Sequence, residues 1–239
     1  MPQPIAYPMK LTQCIRLSDE ACDDVIVKIS LETLSGQAVP HFIAGQYVRI
    51  GMPCMKEPAP AYFAIASSPY HQDSYEFVIK SAQGMSQYLT DLPLGTEVEV
   101  EGPIGKGFDL SKYQGYNVIL LGVGTGIAPL RSLWGKIIQE RHDYGKVSIY
   151  AGFLTALHTL LTDEMGDLSN HDIDVSLSLS TGHEHWGGTV GYVQHALADD
   201  APKPENTVVC LAGMSAMVDA CTETLHNLGF HDDQILLNF

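Results

Sequence analysis

A short apolar run that breaks into a glycine-rich turn constrains this chain more than any other feature of its sequence. Residues 118–121 read Val-Ile-Leu-Leu and predict a buried strand, and a Gly-x-Gly-Thr-Gly segment follows at 122–126. Apolar residues then recur at helical spacing from Ile127, and Pro129 suits the first turn of a helix. A strand, a glycine turn and a helix start direct backbone N–H groups at a phosphate. The pattern predicts a dinucleotide site, with an ordinary tight turn as the alternative.

Two features disfavour the common Rossmann dehydrogenase version of such a site. The glycine spacing is not the Gly-x-Gly-x-x-Gly fingerprint of those enzymes. Their second strand ends in an acidic residue that binds the ribose, whereas the second strand here, 147–151, runs into Gly152 and Phe153.

The two halves of the chain have different patterns. Short apolar segments separated by Gly and Pro predict a small antiparallel β-barrel, with strands near 25–31, 47–50, 62–66, 75–80 and 97–101. From Tyr116 strands alternate with helices, which is typical of a doubly wound parallel sheet. The strands are predicted at 117–121, 147–151, 173–180, 207–212 and 235–239, and the helices near 127–141, 158–168, 190–198 and 215–228. We therefore predict two domains, a barrel over residues 1–112 and an α/β domain over residues 113–239.

Composition narrows the partners and the compartment. The net charge of −15 disfavours nucleic acid, anionic membranes and acidic protein partners such as a ferredoxin. No apolar run approaches the roughly 18 residues that a membrane span needs, and the first ten residues do not resemble a secretory signal. The five cysteines are scattered and form no Cys-x-x-Cys pair, which favours reduced thiols. These features predict a cytoplasmic protein.

Several further segments follow one another in a recognisable order. They are Gly45-Gln-Tyr-Val48, Phe63-Ala-Ile-Ala-Ser-Ser-Pro69, Gly84-Met-Ser86, Gly102-Pro-x-Gly105, the 122–129 turn and Gly213-x-x-x-Met217. In this order and spacing they resemble the ferredoxin–NADP reductase-like flavoproteins over nearly the whole chain. Within that family the chain is similar to stand-alone reductase-like proteins described from ripening fruit, which share the segment Gly191-Tyr-Val-Gln194 and a C-terminal Asn-Phe.

The resemblance implies an FAD site, a nicotinamide-nucleotide site and hydride transfer between the two cofactors, with electrons passing on to an unidentified acceptor. The flavin residues would be Phe63, Ala64, Ile65, Ser67, Lys80, Gly84, Met85 and Ser86, with Phe239 against the flavin ring. The nucleotide residues would be Gly122, Gly124, Thr125, Gly126, Gly213 and Met214. No catalytic side chain is assigned, because the cofactors carry the chemistry. Turn formation by Ser67, helix capping by Ser86 and core packing by Phe239 are the alternative roles.

The chain departs from the family pattern at the flavin strand. The family has Arg-x-Tyr-Ser, in which Arg neutralises a phosphate, Tyr stacks on the ring and Ser bonds the reactive ring nitrogen. The matching positions here are Ala61, Phe63 and Ala64. A hydrogen bond to a charged group is worth about 1.5–3 kcal/mol, so we expect weak FAD binding unless Arg49, Lys56 or Lys80 supplies the cation. A module that binds nicotinamide nucleotide without catalysis, or a subunit of a redox complex that has lost flavin, is the alternative.

Basic residues and possible metal ligands give three further expectations. The chain has no Lys or Arg from residue 147 to 202, so little is available to pair a 2′-phosphate, and we predict that NADH is preferred over NADPH. Arg131 either reaches a phosphate or is a solvated helix side chain. His183-Glu-His185 lacks a third ligand, and Cys210 is expected to be a buried strand thiol, so no metal site is predicted.

Overall fold

The first sheet of the computed structural model, which describes residues 6–182 and 185–238, is an antiparallel half-barrel. Its strands run in the order β4-β3-β6-β1-β2-β5, and a short helix, α1, follows β5. The elements are β1 (Ala6–Arg16), β2 (Ile26–Thr33), β3 (Tyr47–Gly51), β4 (Ala61–Ala64), β5 (Tyr75–Lys80), α1 (Met85–Asp91) and β6 (Glu97–Ile104). The predicted antiparallel β-barrel fold is confirmed, as a half-barrel.

Strand alternation builds the core of the half-barrel. On β6 the side chains of Val98 and Val100 are buried, while those of Glu97 and Glu99, which alternate with them, are exposed. The two edge strands approach each other just beyond β4, where the Ala66 N–H donates to the Glu76 C=O at 2.7 Å. The two edges of the sheet are therefore joined at this point, and the sheet curves around one core.

Strand β1 was not predicted from the sequence. A shift in its pairing with β2 between Leu11 and Gln13 breaks the apolar–polar alternation that would have revealed it. Met9 and Leu11 are its fully buried side chains, which leaves a weak signal for a strand of this length.

The second sheet is parallel throughout, in the order β10-β9-β8-β7-β11-β12. Its strands are β7 (Asn117–Val123), β8 (Val147–Phe153), β9 (Ile173–Leu179), β10 (Thr189–Val190), β11 (Thr207–Ala212) and β12 (Ile235–Leu237). Its helices are α2 (Ile127–Gln139), α3 (Thr162–Asp167), α4 (Val193–Asp200) and α5 (Ser215–Asn227). The predicted doubly wound fold is confirmed; the two-residue strand β10 was too short to predict.

Helices cover both faces of the parallel sheet. On one face, α2 and α3 pack on β7 and β8 through Leu130, Trp134 and Met165. On the other, α4 and α5 pack through Val193 and Val218. The chain moves outwards from β7 to β10 and then returns to the opposite side of β7 as β11. The topological switch point, where such sheets bind ligands, therefore lies between the carboxyl ends of β7 and β11.

The two sheets share one hydrophobic cluster. Phe108 and Leu110 from the connection after β6, and Val78 from β5, pack in the same cluster as α2. Gly135 on α2 allows a close approach, since a Cβ there would lie 2.8 Å from the Ser68 Cβ. The predicted boundary between residues 112 and 113 lies in the connection between β6 and β7, and its position stays a prediction. No helix in the described ranges is long and apolar enough to cross a membrane.

Candidate functional site: two nucleotide-binding loops beside a flavin strand

The glycine turn lies at the switch point, and its glycines have two different structural roles. A Cβ at Gly122 would lie 2.6 Å from Leu130 Cδ1, and a Cβ at Gly126 would lie 2.7 Å from the Ala212 carbonyl oxygen. These two glycines let the turn pack against the end of β11. Gly124 has φ +51°, and no described heavy atom lies within 4 Å of where its Cβ would be. The backbone at Gly124, next to the half-buried Thr125, therefore faces open space at the start of α2.

A second loop, between β11 and α5, completes this crevice. A Cβ at Gly213 would lie 2.9 Å from Met217 Cε and 3.3 Å from Val123 Cγ2, so this loop packs directly on the end of β7. Met214 follows with 72% of its surface exposed, immediately before α5. The structure therefore brings together the six residues predicted to bind nicotinamide nucleotide.

The glycine turn also lies against the half-barrel. Strand β5 is in contact with the Gly124–Gly126 turn. Ala64, at the end of β4, packs against the cluster that contains Ile127 at the start of α2. The predicted nucleotide loop and the predicted flavin strand are therefore neighbours in space, although about sixty residues separate them in the sequence.

The predicted flavin strand presents its residues to different environments. Phe63 is half-buried and packs against the barrel core. Tyr62 is 64% exposed, and its ring meets the ring of Tyr47 edge-on at 5.6 Å. Ile65 is buried, and the buried Ser67 hydroxyl accepts a hydrogen bond from the Glu76 N–H at 3.2 Å. The Ser67 hydroxyl therefore joins the β4 segment to β5, a structural role that differs from the turn formation considered for it above.

The turn before α1 combines an open backbone with buried side chains. Gly84 has φ +74°, and its Cβ position has no neighbour within 4 Å in the part of the chain that is described. Met85 is buried in the barrel core. The Ser86 hydroxyl accepts from the Ala82 N–H at 3.3 Å and donates to the Gln83 C=O at 3.4 Å, so it closes the turn. The Gly84 backbone is the open part of this segment.

Two of the three basic residues considered for the missing flavin arginine are paired with carboxylates. Lys80 Nζ lies 2.6 Å from Asp24 Oδ2, and this hydrogen bond lowers the pKa of Asp24. Arg49 pairs with Glu101 at 2.6 Å. Arg49 stands opposite Tyr62, so it projects from the other face of the sheet than Phe63 does. Lys56 lines a surface cavity of about 360 Å³ beside Arg49 and Glu101.

Arg131 corrects the sequence analysis, because it neither reaches for a phosphate nor lies in solvent. Its side chain is 13% exposed, and its guanidinium pairs with Glu76 and Glu164, each at 2.6 Å, and donates to the Ala66 C=O at 3.0 Å. Burial opposes the charge, but the Glu164 and Glu76 carboxylates together raise the pKa of Arg131. The two carboxylates lie 55 and 33 residues away in sequence, so no local pattern could have revealed them.

The ends of β8 and β9 form a turn with hydroxyl groups. The Ser180 and Thr181 N–H groups donate to the Phe153 and Leu154 carbonyls, each at 2.9 Å. Tyr192 was missed from the sequence as a possible site residue. It is exposed and lies near this turn, because the preceding Gly191 N–H donates to the Leu179 C=O. Its sequence signal is the Gly191 before it, whose φ is +131°.

Part of the predicted site lies outside the described residues. This part comprises Phe239, proposed to lie against the flavin ring, and His183 with Glu184 from the segment considered for a metal site. Within 6–182 and 185–238, no three His, Cys, Asp or Glu side chains are placed to hold a metal ion. Cys210 is fully buried in β11, and this burial raises the pKa of its thiol.

Comparison with known proteins agrees with this geometry. Residues 11–108 match the model of the oxidoreductase FAD-binding domain, and residues 120–223 match that of the oxidoreductase NAD-binding domain. The fruit protein pKIWI502 of Actinidia deliciosa is 30% identical over 96% of this chain and 76% of its own length. The chain belongs to the ferredoxin–NADP reductase-like family of FAD- and NAD-binding oxidoreductases.

Two further proteins are similar to this chain, one in sequence and one in fold. The gamma subunit of sulfhydrogenase 1 from Pyrococcus furiosus is 28% identical over 82% of this chain and 67% of its own length. The fold matches a ferredoxin NADP+ reductase structure from Neisseria gonorrhoeae, which contains FAD and NADP, with a TM-score of 0.78. That match covers 97% of both chains at 18% identity, so it speaks for the fold alone.

The residues present fit the two cofactors of the ferredoxin–NADP reductase-like family, with less charge than the family pattern has. Gly84 and Gly124 each expose backbone where a Cβ would otherwise stand, as a phosphate cradle requires. Phe63 keeps an aromatic ring at the flavin strand. Ala61 and Ala64 bring neither a cation nor a hydroxyl to it. The backbone of this chain therefore fits the cofactor phosphates well, whereas its side chains offer the flavin fewer polar contacts than the family pattern does.

Proposed function

We propose that this protein is an NAD(P)H-dependent flavoprotein reductase. The observation that carries the proposal is the packing of Ala64, at the end of the predicted flavin strand β4, against the cluster that contains Ile127 at the start of α2. This packing puts the predicted flavin strand beside the helix that follows the predicted nicotinamide loop. When bound, the two cofactors supply hydride transfer and onward electron transfer to an acceptor.

In this proposal the chain binds, orients and shields the cofactors. The backbone at Gly84 would hold the flavin phosphates, and the backbone at Gly124 would hold the nicotinamide-nucleotide phosphates. Phe63 would contact the flavin ring, and Met214 would cover the nicotinamide end of the crevice. No side chain is needed as a general acid or base, because hydride transfer between these cofactors moves no proton through the protein.

A second function is favoured by a specific observation. Ala61 and Ala64 stand where the family has Arg and Ser, and both Arg49 and Lys80 are engaged with carboxylates. The glycine turn is intact, but the predicted flavin strand lacks the Arg and Ser of the family pattern. Such a chain would act as a nucleotide-binding module, or as a subunit of a redox complex, without catalysis of its own.

Absorbance of the purified protein separates the two functions. The protein is mixed with FAD, freed of unbound flavin and scanned through the flavin bands, and NADH binding is measured on the same sample. The reductase requires retained flavin absorbance. Colourless protein that still binds NADH would instead establish the non-catalytic module.

The nucleotide preference proposed here is for NADH. Discrimination in favour of NADPH requires a cation for the 2′-phosphate. The turn after β9 offers the exposed hydroxyls of Ser180 and Thr181, and the sequence has no Lys or Arg between 147 and 202. The exposed ring of Tyr192 near this turn offers a flat face to a base, which serves both nucleotides equally.

Side-by-side titrations at one ionic strength test this preference. We expect NADH to bind at least about tenfold more tightly than NADPH, the size of one lost charge-assisted contact. A Thr181→Arg variant should reduce the difference in affinity between NADH and NADPH, because it adds a cation at the turn after β9. Thr12→Arg on the half-barrel is its charge-matched control. Equal affinities in the unmodified protein, or tighter NADPH binding, would overturn the preference.

The proposal extends to compartment and partners. All five cysteines are unpaired thiols, which suits a reducing cytoplasm. The net charge of −15 disfavours nucleic acid, membranes and an acidic ferredoxin-like acceptor. The electron acceptor that this charge favours is a neutral or basic one.

A further inference from the structure

One buried guanidinium connects the two halves of the proposed active site. Arg131 Nη1 donates to the Ala66 C=O at 3.0 Å and to Glu76 Oε2 at 2.6 Å. Its Nε and Nη2 donate to the two oxygens of Glu164 at 2.6 and 3.1 Å. Ala66 and Glu76 belong to the half-barrel, whereas Arg131 and Glu164 belong to the parallel-sheet half.

A second cation completes this interdomain cluster. Lys28 Nζ on β2 lies 3.6 Å from Glu76 Oε1 and 3.9 Å from Glu164 Oε1. Each half therefore contributes one cation and one carboxylate to the cluster, and each carboxylate lies near both cations. Burial would raise the pKa of Glu76, but Arg131 and Lys28 more than offset it, and the pKa lies below its ordinary value. The Glu76 carboxylate is thus ionised at neutral pH, where it pairs with both cations.

The position of Arg131 links the two predicted cofactor loops. Four residues separate it from Ile127, so it lies about 6 Å along the axis of α2 from the glycine turn. Its acceptor Ala66 follows Ala64 of the flavin strand by two residues. The close contact of Gly135 with Ser68, one helical turn further on, holds the same pair of segments together.

We propose that Arg131 is a positioning residue, which sets the distance and angle between the glycine turn of α2 and the flavin strand by holding Ala66, Glu76 and Glu164 at once. The proposal rests on the proposed reductase function, because the positioned groups are the two cofactor loops. It assigns Arg131 no contact with either cofactor. Loss of the correct placement of the two cofactor loops should slow hydride transfer, because a misplacement of 1 Å between reacting groups can reduce a rate by about a hundredfold.

The test compares two variants at Arg131 with a matched control. Arg131→Lys keeps the charge but lacks the planar fork that serves three acceptors, and Arg131→Gln removes the charge as well. Arg141→Gln is the control. Arg141 is similarly buried and pairs with Asp172 at 2.7 Å, but its partners all lie within the parallel-sheet half. Thermal unfolding of each variant establishes that it folds.

The first readout is the anaerobic reduction of bound FAD by NADH, followed by stopped-flow absorbance. For Arg131→Lys we expect the limiting rate to fall about tenfold or more, while the apparent dissociation constant of NADH changes less than about threefold. For Arg141→Gln, the limiting rate and the apparent dissociation constant of NADH should both stay within about twofold of those of the unmodified protein. A limiting rate for Arg131→Lys within about twofold of the unmodified protein would overturn the positioning role.

The second readout needs neither cofactor. Amide hydrogen exchange of the apoprotein is measured for peptides that contain Ala66 and Gly124–Ile127. Arg131→Gln should speed exchange in both peptides, and Arg141→Gln in neither. Unchanged exchange in Arg131→Gln would contradict the proposal. If NADH fails to reduce flavin in the unmodified protein, the proposed function fails, and the exchange measurement alone then decides the positioning role.

Discussion

At the scale of single residues, the three glycines of the turn at 122–126 have different surroundings. Gly122 and Gly126 are small because Leu130 and the Ala212 carbonyl occupy the space of a side chain. Gly124 is different, because its Cβ position is open and its φ is +51°. Gly122 and Gly126 therefore serve the fold, and Gly124 is the one that a bound phosphate would need.

Substitution by valine separates these roles. Gly124→Val should fold with a loss of about 1–2 kcal/mol from the left-handed backbone, and should bind nicotinamide nucleotide at least about tenfold more weakly. Gly126→Val should lose more stability, because a backbone carbonyl at 2.7 Å must move. Chemical denaturation and nucleotide titration measure the two effects. Undiminished nucleotide affinity in folded Gly124→Val would refute the assignment of the turn.

Position 61 tests the weakness of the flavin site. Ala61→Arg restores the cation of the family pattern and should tighten FAD binding by about tenfold or more, as expected for one hydrogen bond to a charged group. Quenching of FAD fluorescence gives the affinity. Glu32→Gln, at an exposed ion pair with Lys10, changes the net charge by the same amount and should leave the affinity unaltered. Equal FAD affinity in Ala61→Arg and the unmodified protein would count against this flavin strand.

The residues that the sequence predicted share a local signal, and those it missed do not. The turn at 122–126 was predictable because its tight backbone requires glycines that are close together in the sequence. Ser67 meets Glu76 only in the folded half-barrel, and Arg131 meets Glu164 within the parallel-sheet half and Glu76 across the two halves. Sequence spacing holds no information about such contacts.

At the scale of elements, strands and helices with strong periodicity were predictable to within a few residues. The helix predicted near 215–228 forms as Ser215–Asn227, and the one near 127–141 as Ile127–Gln139. Elements without periodicity were missed or misplaced. The bulge hides β1, and the helix predicted near 190–198 begins at Val193 because β10 takes residues 189–190.

The contact between β5 and α2 should respond to pH in a defined direction. The pKa of Glu76 is depressed below its ordinary value of 4.5, so its ionised form stabilises the folded chain. This contribution is complete above the unfolded-state pKa of about 4.5 and is lost as pH falls through the lower folded-state pKa. Stability that depends on Glu76 is therefore present at neutral pH and absent in strong acid.

Glu76→Gln tests this linkage. We expect the variant to be less stable than the unmodified protein by about 1.5–3 kcal/mol at pH 7, the worth of a hydrogen bond to a charged group. The difference should shrink steadily as pH is lowered below about 4.5. Denaturant unfolding at several pH values gives both quantities, with Glu32→Gln as the exposed control. A difference that stays constant from pH 7 to pH 3 would contradict the linkage.

At the scale of the whole molecule, function depends on how the two sheets meet. The switch point lies at the carboxyl ends of β7 and β11, and β5 of the half-barrel lies against the same turn. The sequence predicted both folds, but it could not predict the shared cluster of Val78, Phe108 and α2. The proposed reductase requires this meeting of the halves, because a hydride passes only between rings held in contact.

Anaerobic addition of NADH to the FAD-loaded protein tests that claim most directly. The flavin absorption band is followed after mixing over a range of NADH concentrations, with Gly124→Val as the control of weakened nucleotide binding. We expect NADH to bleach the band in the unmodified protein, and the control to need at least about tenfold more NADH for the same effect. A band that persists in unmodified protein carrying both FAD and NADH would contradict the claim.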